Sequence, residues 1–412
     1  MGLSRRRLLT GTSSAVASLA LGSLLFDRAL VGGEPTAPSG RYGPLGAPDS
    51  NGLRLPRGFA SRVIGRSGDT ISRTSFEWHA APDGGATFAR VDEGWVYVSN
   101  SEVVNGGGGV SAIGFASNGR IDGAYSILSG TSRNCAGGPT PWGAWLSCEE
   151  DGSAGQVWEC DPLRAGQGVV RPRLGKFNHE AAVIDPNTGI VYLTEDKPDG
   201  RLYRFIPKTS GDLSQGQLFA ASIGAADAEG AAIISWHETS SAVPDRSGLT
   251  SGFDGGEGAW VENGRLLFTT KGDRRVWELG LSTQRLRVLH DCLATPDTPL
   301  NAVDNIVAHD PSGDIFVAED GGNMELCMIE ERPTGDLRIS AFLQIIGHDT
   351  SEITGPAFSP GGDRLYFSSQ RGSDGHGVTY EVVGPFAVAP QPGTITAMIS
   401  PTGLHPASRL GP

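Results

Sequence analysis

Six short runs along this chain share one plan, and no other feature limits its fold so strongly. Each opens on a glycine, continues as an apolar, β-rich core and ends in polar residues: 94–100, 143–149, 189–195, 264–270, 313–319 and 362–368. Their starts are separated by 49, 46, 75, 49 and 49 residues. A spacing slightly above the ~40–45 residues of a four-stranded propeller blade reads as six blades with long loops. The cores, Ile190-Val191-Tyr192-Leu193 and Leu365-Tyr366-Phe367 among them, are continuous rather than alternating. That suits strands buried on both faces between neighbouring blades. The expected fold class is all-β, a six-bladed β-propeller.

The 75-residue interval places a rim insertion, about 209–256, between the third and fourth repeats. Within it the Ala-rich stretch 220–232 is expected to be helical and 240–253 to be turn-rich. Closure of the ring falls to the chain ends: 59–64 is expected to pair beside 378–383, because an open propeller would leave bare sheet edges. The propeller then occupies 51–386, preceded by a linker (32–50) and followed by a C-terminal tail (387–412) rich in Pro, Gly and Thr. The sixty Gly and 26 Pro fit many short strands joined by turns.

Ser4-Arg5-Arg6-Arg7-Leu8-Leu9 opens a mildly apolar stretch that glycine and serine interrupt. Residues 1–31 therefore read as an export signal of the twin-arginine type, with an ordinary secretory signal or an uncleaved anchor as the alternatives. The expectation is a protein exported to the periplasm or the outside, with the twin-arginine machinery as a partner. A formal charge of -13 argues against a nucleic-acid partner and for a surface or cleft that collects cations. Five cysteines allow at most two bridges. Cys148 with Cys160 and Cys292 with Cys327 are possible pairs; Cys135 is the candidate for the unpaired thiol.

The chemistry emerges when the residues upstream of each repeat are read in register. Seven to ten residues before the repeat glycines stand Cys135, Glu180, Glu257, Asp304 and Glu352. Equivalent positions of propeller blades ring the channel, so these side chains are expected to converge at one mouth. Glu102, Glu149 with Glu150, Glu195 with Asp196, and Glu319 with Asp320 stand at or just beyond the strand ends and suggest a second ring. So many carboxylates in one space would repel unless cations neutralised them. Oxygen-rich sites suit calcium, and a thiolate added to carboxylates suits a transition metal such as iron or zinc. His179 is the one histidine in register with the acids and reads as a ligand, a supporting donor or a packed core residue, while His79 holds a comparable place before the first repeat. No nucleophile elbow, P-loop or dinucleotide fingerprint is present in the sequence.

Asn134-Cys135-Ala136-Gly137-Gly138, Pro141-Trp142-Gly143, Cys148-Glu149-Glu150, His179-Glu180, Thr194-Glu195-Asp196, Glu257-Gly258 and Glu352-Ile353-Thr354-Gly355 together resemble the PhoX family of exported alkaline phosphatases. The resemblance covers nearly all of 51–386. It implies a six-bladed propeller exported by the twin-arginine route, with iron and calcium as cofactors at the channel mouth and a small phosphorylated substrate. Carried over residue by residue, it implies that Cys135, Glu180 and Glu257 are iron ligands and catalytic. The same resemblance makes Glu102, Glu150, Glu195, Asp304, Asp320 and Glu352 the calcium candidates. The implied reaction is hydrolysis of phosphomonoesters, with metals polarising the phosphoryl oxygens.

This chain departs from the family at two points besides its shorter length. Gly255 stands two residues before Glu257, where a phosphate-binding arginine is expected, and Glu319 stands where a basic residue would help. Lys271 and Arg371 are the available substitutes. Two other functions stay open: another calcium-dependent propeller hydrolase of lactonase or phytase type, and a non-catalytic, calcium-stabilised propeller that binds a partner on its rim.

Overall fold

The computed structural model describes residues 39–387 apart from 167, 245, 247 and 296. The export signal with Arg5, Arg6 and Arg7, residues 32–38 of the linker and the tail from 388 onwards lie outside the described residues. Among those described, regular structure consists of strands and two 3-10 turns, Gly152–Ala154 and Pro172–Leu174. No described helix is long and apolar enough to cross a membrane.

The strands follow one another as antiparallel meanders. In chain order they are β1 (Leu53–Arg54), β2 (Ala60–Arg66), β3 (Pro82–Ala89), β4 (Trp95–Ser101), β5 (Gly108–Phe115) and β6 (Ile121–Thr131). Next come β7 (Asn134–Pro139), β8 (Trp145–Glu149), β9 (Val157–Cys160), β10 (Gly168–Val170), β11 (His179–Ile184), β12 (Val191–Glu195), β13 (Tyr203–Thr209), β14 (Asp212–Ala226) and β15 (Ala232–Thr239). The remainder are β16 (Gly256–Glu262), β17 (Arg265–Thr270), β18 (Arg275–Gly280), β19 (Arg285–Asp291), β20 (Ile306–His309), β21 (Asp314–Ala318), β22 (Glu325–Glu331), β23 (Leu337–Ile345), β24 (Ile353–Phe358), β25 (Arg364–Ser369) and β26 (Val378–Val383). They form an all-β, propeller-like fold of five sheets: β3 to β6, β7 to β10, β11 to β19, β20 to β23 with β1, and β24 to β26 with β2.

Five sheets stand where the sequence implied six separate ones, and the reason lies in the insertion. The nine-stranded sheet holds two meanders, β11 to β14 and β16 to β19, which β15 joins by pairing with β14 and β19. The Ala-rich stretch expected to be a helix is strand instead. Its first half continues β14, and Ala220, Ala221 and Ser222 pair with His237, Trp236 and Ser235 of β15. Cross-strand hydrogen bonds on both sides of β14 override the helical propensity of alanine, which is high but worth only a fraction of a kcal/mol per residue. Closure follows the expectation: β2 pairs with β26 from Ala60↔Val383 to Arg66↔Val378.

All six sequence repeats are the second strands of their meanders: β4, β8, β12, β17, β21 and β25. β4, β8, β12 and β21 are buried along their whole length. Their apolar side chains fill the spaces between sheets, as where Leu146 and Cys148 of β8 pack with Val191 and Leu193 of β12. Each such fully buried residue contributes about 1.5–3 kcal/mol relative to exposure. The repeat glycines close the preceding hairpins with positive φ, from 71° at Gly362 to 81° at Gly143. Gly94 is the exception, because there the left-handed residue is its neighbour Glu93 (φ 64°).

Neither possible disulfide forms: all five cysteines are free thiols. In the β8/β9 pairing Cys160 faces Trp145 and Cys148 faces Val157, so the two sulfurs belong to opposite ends of the ladder. Burial raises the pKa of both thiols, and Cys148, Cys160, Cys292 and Cys327 act as small core residues.

Candidate active site

The first strands β3, β7, β11, β16, β20 and β24 face a central channel, whose throat is a cavity of 40 Å³ lined by Gly84, Gly137, Gly258 and Gly355 among others. The glycines set this closeness: a Cβ on Gly84 would stand 2.5 Å from the Cα of Ala136, and one on Gly258 2.6 Å from that of Asn305. Five of the six strands break register with their partners near their start; in β24 the break falls between Thr354 and Ala357, just after Glu352. The other four fall between Pro82 and Gly85, Asn134 and Gly137, His179 and Ala182, and Gly256 and Ala259. The first residue inside each of these four is Asp83, Cys135, Glu180 and Glu257 respectively, followed by a Gly or Ala. A bulge leaves its extra residue unpaired and re-aims its side chain, and here the side chains aim at one cavity.

That cavity, of 260 Å³, is lined by Asp83, Glu102, Cys135, Glu150, Glu180, Asp196, Glu257, Asp304, Asp320 and Glu352, with Lys271, Gln370 and Arg371. Nine carboxyl groups and a thiol therefore face two cationic side chains. One oxygen from each of Glu180, Glu257 and Asp304 lies within 4.8 Å of the others, and all three side chains are buried. Both carboxylate oxygens of Glu180 lack a hydrogen-bond partner. Cys135 sits beside Asp83, its Sγ 3.5 Å from Oδ2. Asp83 also accepts from its neighbour's backbone, Gly84 N, at 2.7 Å and from Gln370 Nε2 at 2.5 Å.

Burial, reinforced by like charge, dominates the electrostatics. It lifts Glu180 well above the carboxylate range, with Asp304 the largest neighbouring contribution, and does the same to Glu257 and Asp304. Asp83 and Glu150 are pushed up to about 7 by burial and by Glu102 and Asp196 respectively, and Glu352 to about 8 by burial and Asp83. Burial and the Asp83 charge raise the Cys135 thiol too. Without cations burial favours the protonated forms; with cations the groups become donors.

Of the nine ligand residues read from the sequence, eight line the cavity: Cys135, Glu180, Glu257, Glu102, Glu150, Asp304, Asp320 and Glu352. Glu195 does not. Its carboxylate turns the other way and accepts from Arg201 N and Tyr203 Oη, both at 3.0 Å, while Arg246 pairs with it. Successive strand residues point to opposite faces, so the next residue, Asp196, takes the cavity place. Glu149 and Glu319 behave like Glu195. Glu149 accepts from the backbone of Ser132 and Gln156, Glu319 from that of Asn301 and Glu325, and each ties down a loop.

His179 is the core residue among its three readings, with a ring nitrogen 3.0 Å from Gly175 O and its ring against Phe177. The tightest trio differs from the implied iron set as well, with Asp304 in the place of Cys135. Asp83 escaped the sequence reading. Lys271 and Arg371, the basic residues singled out there, both reach the cavity.

Comparison with known proteins bears on this geometry. Residues 78–262 match the family model described as Alkaline phosphatase PhoX. No curated protein sequence matches. Among solved structures, Pseudomonas fluorescens PhoX in complex with vanadate, a transition state analogue, is similar at 17% identity and a TM-score of 0.68. The match covers 81% of this chain and 96% of that one. A Xanthomonas campestris gluconolactonase matches at 14% identity and TM-score 0.48, covering 83% of this chain and 98% of that one. The Agrobacterium tumefaciens calcium-binding protein regucalcin matches at 14% and 0.40, covering 78% and 94%. The first likeness shows the fold, and the family match through 78–262 spans the Cys135, Glu180 and Glu257 strands. On these findings residues 78–262 are similar to the PhoX family of alkaline phosphatases.

Proposed function

We propose that the protein is a metal-dependent phosphatase that hydrolyses phosphomonoesters at the acid-lined mouth of its channel. The observation that carries this reading is Glu180, a buried carboxylate with two unpartnered oxygens beside Glu257 and Asp304. A buried charge without partners costs several kcal/mol, which a coordinated cation removes. The donor set fits such ions. Cys135 with Glu180 and Glu257 offers the mixed sulfur and oxygen set that iron accepts, and Glu102, Glu150, Asp304, Asp320 and Glu352, joined by Asp83 and Asp196, offer the oxygen set of calcium. Bound there, the metals supply positive charge that polarises a phosphoryl group.

The chain's own part is positional. The bulges aim the donors, the glycine throat limits passage through the channel, and Glu149, Glu195 and Glu319 hold the loops that carry Glu150, Asp196 and Asp320. We read the nine-stranded sheet as two blades joined by β15, so that the propeller counts six and each blade sends residues to the mouth. Arg5, Arg6 and Arg7 carry the reading of export by the twin-arginine route to the periplasm or outside, and replacing them with lysine is expected to retain the protein in the cytoplasm. The function itself is tested with p-nitrophenyl phosphate: metal-loaded protein releases nitrophenol, and chelator-stripped protein does not. Activity indifferent to stripping would reject the reading.

A further inference from the structure

The ring at the ends of the second strands has two members that are not acids. Glu102, Glu150 and Asp196 follow β4, β8 and β12 directly and Asp320 comes two residues after β21, whereas the neutral Gln370 follows β25 and the cationic Lys271 follows β17. A lysine among acids is explained if its charge is needed there, and its surroundings show where that charge points. Nζ lies 2.6 Å from Asp196 Oδ2 and 2.7 Å from Glu257 Oε1, the latter an ion pair whose angle leaves Oε1 without a hydrogen bond. Lys271 thus borders the Glu180, Glu257 and Asp304 trio, while Arg371 pairs with Glu102 and Glu352. The Lys271 side chain keeps 40% exposure, so a third N–H can serve a ligand entering from the mouth.

Gly255 makes this placement possible. It has φ 68°, accepts a 2.8 Å backbone hydrogen bond from Lys271 N, and a Cβ there would stand 2.9 Å from Lys271 Cγ. Any larger residue would push the lysine out of its path to the cavity.

Resting on the phosphatase reading, we propose that Lys271, admitted by Gly255, is the group that captures the phosphoryl oxygens of the substrate. Asp196 and Glu257 aim its ammonium, and a phosphate bound against the metal-loaded trio takes the free N–H as a charge-assisted hydrogen bond.

Inorganic phosphate is the probe, titrated calorimetrically into metal-loaded protein whose metal content is measured in parallel. Lys271→Met is expected to weaken phosphate binding about ten- to hundredfold, the usual loss for one hydrogen bond to a charged group. Its metal content is expected to be unchanged. Gly255→Ala keeps the charge but shifts the side chain and should weaken binding in the same direction by less; Lys271→Arg should restore most of it. In hydrolysis the loss should fall on KM more than on kcat. The proposal is overturned if Lys271→Met binds phosphate as tightly as the unaltered protein, or if it loses metal in step with phosphate, the mark of a mere counter-ion. If the unaltered, metal-loaded protein neither binds phosphate nor cleaves p-nitrophenyl phosphate, the phosphatase reading itself fails, a result distinct from a failure of Lys271 alone.

Discussion

The first strands that build the acidic mouth also build a second cavity from their later residues, and the two ends are nearly equal in size. The mouth measures 260 Å³ and holds nine carboxyl groups. The other measures 310 Å³ and is lined by apolar residues such as Ala86, Trp260, Val307 and Phe358 together with Thr87, Asp310 and Ser359. That end gathers a single carboxyl group. The other carries buried acids that the fold alone leaves unpartnered, and an arrangement that costs stability persists where it performs a task. Fold and function are thus separated along a single set of strands, which makes the separation testable.

The largest expected effect is on activity at the mouth. Glu180→Gln removes the central donor and is expected to lower kcat/KM for p-nitrophenyl phosphate at least about a hundredfold while the melting temperature of metal-free protein holds, since burial already favours the uncharged carboxyl there. Val307→Ala, at the apolar end, should do the reverse, costing about 2 kcal/mol of stability with activity intact. Equal losses of activity in both variants would erase the distinction.

A second contrast concerns pH. In metal-free protein the folded state raises Asp83 and Glu150 to about 7 and Glu352 to about 8, above their unfolded values of about 4. Raised carboxylates favour the protonated form, so the stability they contribute is present below about pH 4 and is lost as pH climbs through 7 and 8. Stripped protein should therefore melt roughly 5 °C or more lower at pH 9 than at pH 5. Metal-loaded protein should not, because cations take the place of the protons. Parallel curves with and without metal would contradict the account.

A smaller effect separates neighbours. Glu195→Gln weakens the anchoring of Arg246 and Tyr203 and should cost about 1–3 kcal/mol of stability with metal retained. Asp196→Asn should spare stability and lower metal content. The opposite pattern would show that the strand faces have been assigned the wrong way round.

These neighbours also show how much was legible in the sequence. A glycine turn before a continuous apolar run marks a buried second strand whatever surrounds it, so all six of those strands could be read directly. The acids of the first strands were legible by register wherever the hairpin is short. Asp83 lies eleven residues before Gly94, outside the seven-to-ten window, because its hairpin is longer. The signal that would have found it is the Asp83-Gly84 pair, which parallels Glu257-Gly258. Choosing between Glu195 and Asp196 needed the strand's facing, which a continuous apolar run does not reveal. The bridging β15 was hidden for a related reason, since alanine carries little information about which partner it will meet.

Metal analysis of the purified, active protein tests the central claim most directly. The account predicts iron and calcium together, with Cys135→Ser losing iron and any visible charge-transfer colour while calcium stays. Fully active protein that contains neither metal would contradict it.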